Sequence, residues 1–307
     1  MKVLVLGASG YVGQRLVPYL LTRGHNVRCM VRDPGSLTGN RNEVFAGNAL
    51  DIDALMRAMG GVEKVVYLIH SMRSPDKNFE QTDMQIATNV AEVARHYGIK
   101  QIVYLGALGE RTDLQTPHLR SRHRVGDILR SSEIAVTELR AAVIVGSGSA
   151  SFEMIKHLVQ KLPIMICPRW VQVKTQPIAI ADVLDYVASS LTLPDALGRT
   201  IDIGGADILS YRQMLIDVAR ILGLKRLIIP VPVLTPWLSS HWVNLVTPIE
   251  ASLARALIES VRSETVCSDD LARRIFHVTP MNFKQAARAA LEKEDLQSLG
   301  INTGVTA

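Results

Sequence analysis

Cysteine is scarce: three residues in 307, at positions 29, 167 and 267. They stand far apart, with no C-x-x-C pair and no metal-ligand spacing. That excludes a disulfide framework and a zinc site, and it points to a reducing, cytoplasmic setting. Aromatics make up 5% of the chain, too few to supply the stacking platforms of a nucleic-acid binder. An excess of one charge is also missing. The 34 Lys and Arg residues against 29 Asp and Glu leave a net charge of +5, too mild to recruit nucleic acid. No stretch of 18 apolar residues occurs, so a spanning helix is not expected. The N-terminus lacks the pattern of a secretory leader. The longest charge-free stretch, residues 227–249, is broken by Pro230, Pro232, Pro236 and Pro248, which suits a strand and turns better than a membrane span.

What is present is core-forming material. Hydrophobic residues reach 48% and charged residues 21%, which excludes intrinsic disorder. Short runs rich in β-branched residues recur at 3–6, 27–31, 65–69, 102–105 and 136–145, as in strands buried on both faces. Helical patterns lie between them. Val12, Leu16, Val17, Leu20 and Leu21 share one face before Gly24; Ile86, Val90, Val93, Ala94 and Tyr97 share another before Gly98. This alternation predicts an α/β fold, a doubly wound parallel sheet built from right-handed βαβ units. The second half is less regular. It predicts strands at 177–180, 200–204 and 227–230, helices through 182–191, at Met214–Leu222 and at 283–291, and a frayed tail from Glu292. The expected organisation is a dinucleotide-binding domain over residues 1–150 and a smaller mixed substrate or partner subdomain over 151–307, with segments that return to the main sheet.

The sharpest signal is Gly7-Ala8-Ser9-Gly10-Tyr11-Val12-Gly13, directly after the first strand and opening the first helix. The G-x-x-G-x-x-G spacing is close to the dinucleotide fingerprint without being identical to it. Gly7 permits a tight turn, Gly10 lets the backbone approach a pyrophosphate, and Gly13 allows the helix to pack closely. The helix N-terminus then offers N–H donors and the positive end of its dipole to phosphate. The second strand ends in Val31-Arg32-Asp33-Pro34, where the adenosine ribose is read. Arg32 suits a 2′-phosphate, since guanidinium binds phosphate bidentately. Asp33 stands where an acid would hold a free 2′-OH. The two argue opposite ways; Arg32 favours NADP(H), with NAD as the alternative.

With these motifs the sequence resembles the short-chain dehydrogenase/reductase superfamily in its extended and atypical branches, and most of all the NmrA-like NAD(P)H-binding members. The residues that carry the likeness are GASGYVG at 7–13, VRDP at 31–34, AGNALD at 46–51, YLIHSM at 67–72 and YLGALG at 104–109. TQPIAIADV at 175–183 and DIGGADILSYRQM at 202–214 look like that group's C-terminal half. The resemblance implies that Asn48, beside Ala49, takes the place of an acid that contacts adenine. It makes Leu68, Ile69 and His70 neighbours of the nicotinamide side. It sets Gly106 and Ala107 where active dehydrogenases usually carry a serine. The family's Tyr-x-x-x-Lys pair is missing. Aligned on the acid Asp127, Leu119 stands for the tyrosine and His123 for the lysine, and leucine cannot transfer a proton.

His70 is then the best candidate proton donor, since imidazole titrates near neutrality; the alternative is a backbone hydrogen bond at a strand end. His123 either touches the ribose in place of lysine or belongs to a solvated helix face with Arg120, Arg122, Arg124 and Arg130. That basic run either attracts an anionic substrate or is simply solvated. His118 reads as a solvated loop residue, unless its loop folds over the cleft. Tyr67 and Tyr104 read as core. The segment 147–151, rich in small residues, suits close approach to cofactor or substrate. The proline-rich segment 230–248, with Trp237 and Trp242, is either a packing element, a pocket wall, or a contact for a membrane surface or protein partner. The function expected first is an NADP(H)-dependent reductase of a small organic or quinone-like acceptor. A non-catalytic redox sensor or assembly subunit comes second and sugar-nucleotide epimerisation last. The sequence sets no oligomeric state.

Overall fold

A computed structural model describes residues 1–37, 43–70, 79–109, 117–231 and 263–298, with backbone only at 169–170 and 293–298. Ser71 and Met72, both tryptophans at 237 and 242, and the charge-free stretch beyond Val231 lie outside the described residues.

The first half alternates as its apolar runs predict. In chain order it comprises β1 (Lys2–Leu6), α1 (Gly13–Thr22), β2 (Asn26–Val31), β3 (Glu43–Ala46), α2 (Ile52–Met59), β4 (Lys64–Tyr67), α3 (Phe79–His96), β5 (Gln101–Ala107), α4 (Pro117–Arg130) and β6 (Val136–Ala141). The second half adds β7 (Ile144–Val145), α5 (Ala150–Lys161), β8 (Ile164–Pro168), β9 (Lys174–Thr175), β10 (Ile178–Ala179), α6 (Ile180–Ser190), β11 (Thr200–Ile203), β12 (Leu209–Ser210), α7 (Tyr211–Ile221), β13 (Leu227–Val231), α8 (Leu271–Ile275) and α9 (Phe283–Ser298).

Seven strands form one parallel sheet in the order β3-β2-β1-β4-β5-β6-β11. This is the Rossmann doubly wound arrangement, whose strand order reverses between β1 and β4. Alternate strand residues serve opposite faces. Val3, Val5, Val66, Val103 and Leu139 pack with Leu16 and Leu20 of α1 and Val183, Tyr186 and Val187 of α6. Leu4, Leu6, Val65, Tyr67 and Tyr104 pack with residues of α2, α3 and α4. Tyr67 and Tyr104 are both 0% exposed, and their rings meet edge to face at 5.6 Å, a core pair as expected. A third core joins α5, α7 and α9 through Phe152, Ile155, Met214, Val218, Phe283 and Ala287. Three two-stranded ladders, β7–β10, β9–β12 and β8–β13, flank it.

Three local expectations are corrected. The apolar run 136–145 is not one strand. β6 stops at Ala141, and β7 pairs with β10 in a separate ladder; β-branched residues continue across the bend, so the pattern hides it. Tyr97 lies beyond α3 and is 39% exposed, unlike Ile86, Val90, Val93 and Ala94, which are buried. The tail from Glu292 continues α9 as far as Ser298.

Candidate functional site

The carboxyl ends of β1, β4, β5 and β6 open on the side where open α/β sheets bind ligands, at the reversal of strand order. The glycine-rich turn leaves β1 there. Gly7 has φ +84°, and a Cβ on it would meet the backbone of Leu68 at 2.9 Å. The turn therefore lies directly against the end of β4. A Cβ on Gly13 would come within 2.3 Å of the Gly7 carbonyl oxygen, so the first turn of α1 packs on the loop itself. Gly10 differs from both: within contact range its Cβ would meet only the Gly7 oxygen, at 3.2 Å. Apart from that oxygen, nothing among the described residues lies within 4 Å of the position. Val12 caps α1 without a side-chain hydrogen bond, leaving the cap position to a ligand. A cradle that a Cβ would narrow, over a helix end with no side-chain cap, fits a diphosphate.

Tyr11 leans away from the cradle toward the second half. Its hydroxyl occupies the place a Cβ of Gly146 would need, 2.3 Å away. It is shielded from solvent and has no hydrogen-bond partner among the described residues, and burial pushes its pKa up to about 12. Arg15 stacks over the Tyr11 ring at 4.1 Å and donates to the Tyr11 and Ser147 carbonyl oxygens at 2.9 and 2.7 Å. The small residues at 146–149 thus make room for the turn. Ser149 donates to the Ile144 carbonyl oxygen at 2.6 Å.

At the ribose end Arg32 is exposed, while Asp33 accepts a hydrogen bond from the Gly35 N–H at 2.9 Å and caps the short helical turn that follows. Asn48 is exposed, and its side-chain oxygen accepts from the Leu50 N–H at 3.1 Å, which uses one of its acceptor lone pairs. Ala49 is buried. Its carbonyl oxygen and that of Leu50 take hydrogen bonds from Asn89 of α3 at 3.3 and 3.0 Å.

Beyond the ends of β5 and β6 lies a cavity of about 100 Å³ lined by Ala107, Leu108, Leu119, Ala142, Val143 and Met154, with His118, Ser151, Tyr211 and Thr265 as polar members. It sits at the bend between β6 and β7. β5 is two strands from β1, about 10 Å across the sheet, within reach of an extended dinucleotide held at the turn. Leu119, in the position of the absent tyrosine, faces this cavity. Ala107 lines it too, whereas the missing side chain of Gly106 makes room for the Glu138 carboxylate, 2.9 Å from where its Cβ would be. Leu68 and Ile69 extend past β4 toward the same region, with the Leu68 N–H bonded to the Leu6 carbonyl oxygen at 2.9 Å.

His70 and His118 meet at this end, with ring centroids 4.8 Å apart and planes tilted 45°. His118 is therefore not in a solvated loop; it belongs to the first turn of α4 and lines the cavity. The sequence undervalues it because His70 and Asp83, the groups gathered beside it, lie far away in the chain. His70 Nδ1 is 3.5 Å from Oδ2 of Asp83, a buried acid on α3. Ser121 donates to the same oxygen at 2.9 Å. Burial holds both imidazoles below their usual pKa, His118 well below; Asp83 opposes this and Arg122 adds to it. His123 is buried, 4% exposed, in the middle of α4.

The basic run of α4 proves to be divided among structural tasks. Arg120 makes two bonds to Glu80 at 2.9 and 2.6 Å, and Arg124 approaches the same carboxylate at 3.6 Å. Arg130 pairs with Asp127 and Glu138. Arg122 is buried, 7% exposed. It donates to the Ile69 carbonyl oxygen at 3.1 Å and to that of Leu105, and it lies over the Tyr104 ring. It ties the ends of β4 and β5 together beside His70.

Comparison with known proteins agrees with this geometry. Residues 7–153 match the family described as NAD(P)H-binding. A photosystem II assembly factor, Ycf39, of Trieres chinensis is 23% identical over 213 residues, 67% of this chain and 64% of its own. A 3-diazoavenalumate denitrifying reductase of a Streptomyces species is 35% identical over 112 residues, 34% of this chain and 36% of its own. The chain thus spans under two thirds of the length of these two relatives. The crystal structure of an NADPH-dependent quinone oxidoreductase from Escherichia coli superposes with a TM-score of 0.74 at 16% identity, over 93% of this chain and 98% of that one; at that identity the likeness is one of fold. The glycine cradle at the β1–β4 reversal lies within the matched residues, so residues 7–153 form an NAD(P)H-binding domain, consistent with the resemblance to the NmrA-like, atypical short-chain dehydrogenases/reductases.

Proposed function

We propose that this protein is an NADP(H)-dependent reductase of a small, apolar organic acceptor of the quinone type. The observation that carries the reading is the placement of a small, mostly apolar cavity at the ends of β5 and β6, two strands from the phosphate cradle. Gly7, Ala8, Ser9, Gly10, Tyr11, Val12 and Gly13 would hold the diphosphate, Arg32 the 2′-phosphate, Asn48 and Ala49 the adenine side, and Leu68, Ile69 and His70 the nicotinamide side, with Gly106 near the end of β5 and His123 on α4 beyond them. NADPH supplies a hydride when bound. The chain's own part is to orient the acceptor, exclude water from it and supply a proton. A conjugated acceptor suits a cavity in which Leu119 stands where a tyrosine would otherwise polarise the substrate, since it needs less activation than a simple ketone. About 100 Å³ is also small beside the ~300–1,000 Å³ of pockets for drug-sized ligands, which sets sugar-nucleotide epimerisation last. The NADP(H) preference is supported by the exposed guanidinium of Arg32 and by the engagement of Asp33 with its own turn. A reducing, cytoplasmic setting remains part of the same reading; among the described residues no helix is long and apolar enough to cross a membrane.

Leu119 favours one second reading: a dinucleotide-binding redox sensor or assembly subunit with no turnover, whose partner is a protein or a membrane surface. The relative named as an assembly factor supports it. Two measurements separate the readings. Stopped-flow oxidation of NADPH by a panel of quinones is expected to show turnover; tight binding without turnover of any acceptor selects the second. Calorimetry of Arg32→Ala is expected to show NADPH weakened by about 1.5–3 kcal/mol, the range of a charge-assisted contact to phosphate, and NADH barely changed. Equal weakening of both removes the NADP(H) preference.

A further inference from the structure

Apart from the glycine turn, the most concentrated chemistry among the described residues is where β4 ends and α4 begins. Four polar groups from three elements converge there: His70 after β4, Asp83 on α3, and His118 and Ser121 on α4. Asp83 is 1% exposed, and its Oδ2 receives the Ser121 hydroxyl at 2.9 Å while standing 3.5 Å from His70 Nδ1. His70 touches His118 ring to ring at 4.8 Å, and His118 lines the cavity. Nε2 of His70 and Nδ1 of His118 are shielded from solvent and make no hydrogen bond among the described residues, and Nδ1 of His70 has only the 3.5 Å approach of Asp83. Shielded polar atoms in native proteins ordinarily have partners, and their exceptions gather at working sites. Arg122 holds the Ile69 carbonyl oxygen at 3.1 Å, so the backbone that carries His70 is fixed from α4.

We propose that His118 delivers the proton to the acceptor bound in this cavity, and that His70, held by the carboxylate of Asp83, recharges it. The proposal rests on the reductase reading. Reduction adds a hydride and a proton to the acceptor, which gains two electrons as the reduced dinucleotide loses two. In the proton step an N–H bond of protonated His118 breaks, its electron pair stays on the ring nitrogen, and an O–H bond forms on the acceptor. A solvent proton passing by way of His70 restores the imidazolium. Asp83 favours the charged form of either ring through its negative charge. His118 is the catalytic residue; His70 and Asp83 are positioning residues. The groups facing His118 are His70 after β4, Asp83 on α3, Arg122 on its own helix and Tyr211 of α7 across the cavity. A donor must be protonated, so the rate falls as pH rises through the His118 midpoint. That midpoint lies below the ordinary imidazole value because burial disfavours the charged ring.

The test uses the full chain, NADPH and a naphthoquinone. His118→Gln is expected to lower kcat by a factor of about 100 or more, the usual size of a general-acid contribution, with KM for NADPH and the melting temperature unchanged. Asp83→Asn is expected to move the pH profile of kcat to lower pH, which a merely structural role would not do. Should Asp83→Asn fail to fold, Ser121→Ala is the milder probe: without the serine proton the carboxylate acts more strongly on His70, and the profile moves to higher pH. A wild-type kcat retained in His118→Gln overturns the relay and leaves the reductase standing. If none of the quinones supports NADPH oxidation by the wild type, the reductase falls and proton delivery falls with it. Nitrogen-15 NMR titration of the histidines, run without cofactor, then decides whether the chain of groups is coupled at all. His70→Gln is expected to raise the His118 midpoint, and identical His118 titrations in the wild type and this variant overturn the coupling.

Discussion

Gly7, Gly10 and Gly13 lie within one turn of chain, whereas the cavity at the other end of the cleft draws residues from α4, α5, α7, the ends of β5 and β6, and Thr265. The phosphate end is made of backbone: a left-handed glycine, an open Cα and a helix end without a side-chain cap. The acceptor end is made of side chains whose positions depend on the packing of distant elements. The first can be written into seven consecutive residues, and the second exists only once α3, α4 and the sheet have come together. The two ends should accordingly fail in different ways when altered.

The largest expected effect is at Gly13. A Cβ there would lie 2.3 Å from the Gly7 oxygen and 2.7 Å from Ala8 Cα, both backbone atoms that cannot swing aside. Gly13→Ala should destabilise the fold by about 3 kcal/mol or more, at the upper end of overpacking penalties, and lower the denaturant midpoint along with dinucleotide affinity. Gly10→Asp is its counterpart. A Cβ on Gly10 would meet one backbone oxygen at 3.2 Å, so the midpoint should move far less than in Gly13→Ala, while a carboxylate in the phosphate site abolishes NADPH binding through charge repulsion and lost access. Denaturation and calorimetry on the two variants check the pair. If Gly10→Asp bound NADPH normally, the cradle would have been assigned to the wrong face of the turn.

The acceptor end is expected to break through its support. Arg122 is buried and bonds the carbonyl oxygens of Ile69 and Leu105. Arg122→Met keeps the apolar stem and leaves those acceptors unsatisfied, at a cost of about 2–3 kcal/mol. The comparison sharpens on binding. Dinucleotide affinity should survive in this variant, because the phosphate cradle does not depend on α4, while any NADPH oxidation should fall with the displacement of His70. Urea unfolding, calorimetry and steady-state rates separate the three quantities.

The same contrast explains what the sequence made legible. The glycine turn could be read because each glycine answers a local demand that no other residue meets as well: a positive φ at Gly7, a backbone contact at Gly13. The parallel α/β sheet followed from alternating apolar runs. The bend at 142–143 could not be read, since Val143, Ile144 and Val145 continue a strand-like pattern while the chain moves to another ladder. Nor could the division of labour in α4. Arg120, Arg122 and Arg124 are adjacent on paper, yet Arg122 points into the body of the protein and the other two meet Glu80. His118 could have been raised by one signal, its position just after Pro117 at the start of a helix, which makes a solvated loop less apt. Its burial against His70 and Asp83 has no local signature.

The smallest expected effect is a pH dependence of stability. Burial lowers the pKa of His70 and of His118 below the ordinary imidazole value. In the unfolded chain both rings titrate near ~6.5. Below that pH the unfolded state binds protons that the native state refuses, so stability falls as pH drops from neutrality toward the native midpoints and is flat above it. His25 and His157 are also lowered by burial and add to the wild-type slope. The His70→Gln, His118→Gln double variant isolates the pair at the cavity: unfolding midpoints measured at pH 7.5, 6.5 and 5.5 should fall less steeply than in the wild type. The phosphate end has no such dependence, because its donors are amides that do not titrate, so the ratio of NADPH affinities of the double variant and the wild type should stay constant across the same range. Parallel stability slopes in the two proteins would mean that His70 and His118 are open to water, and the cavity would then lose the desolvation on which its proton chemistry depends.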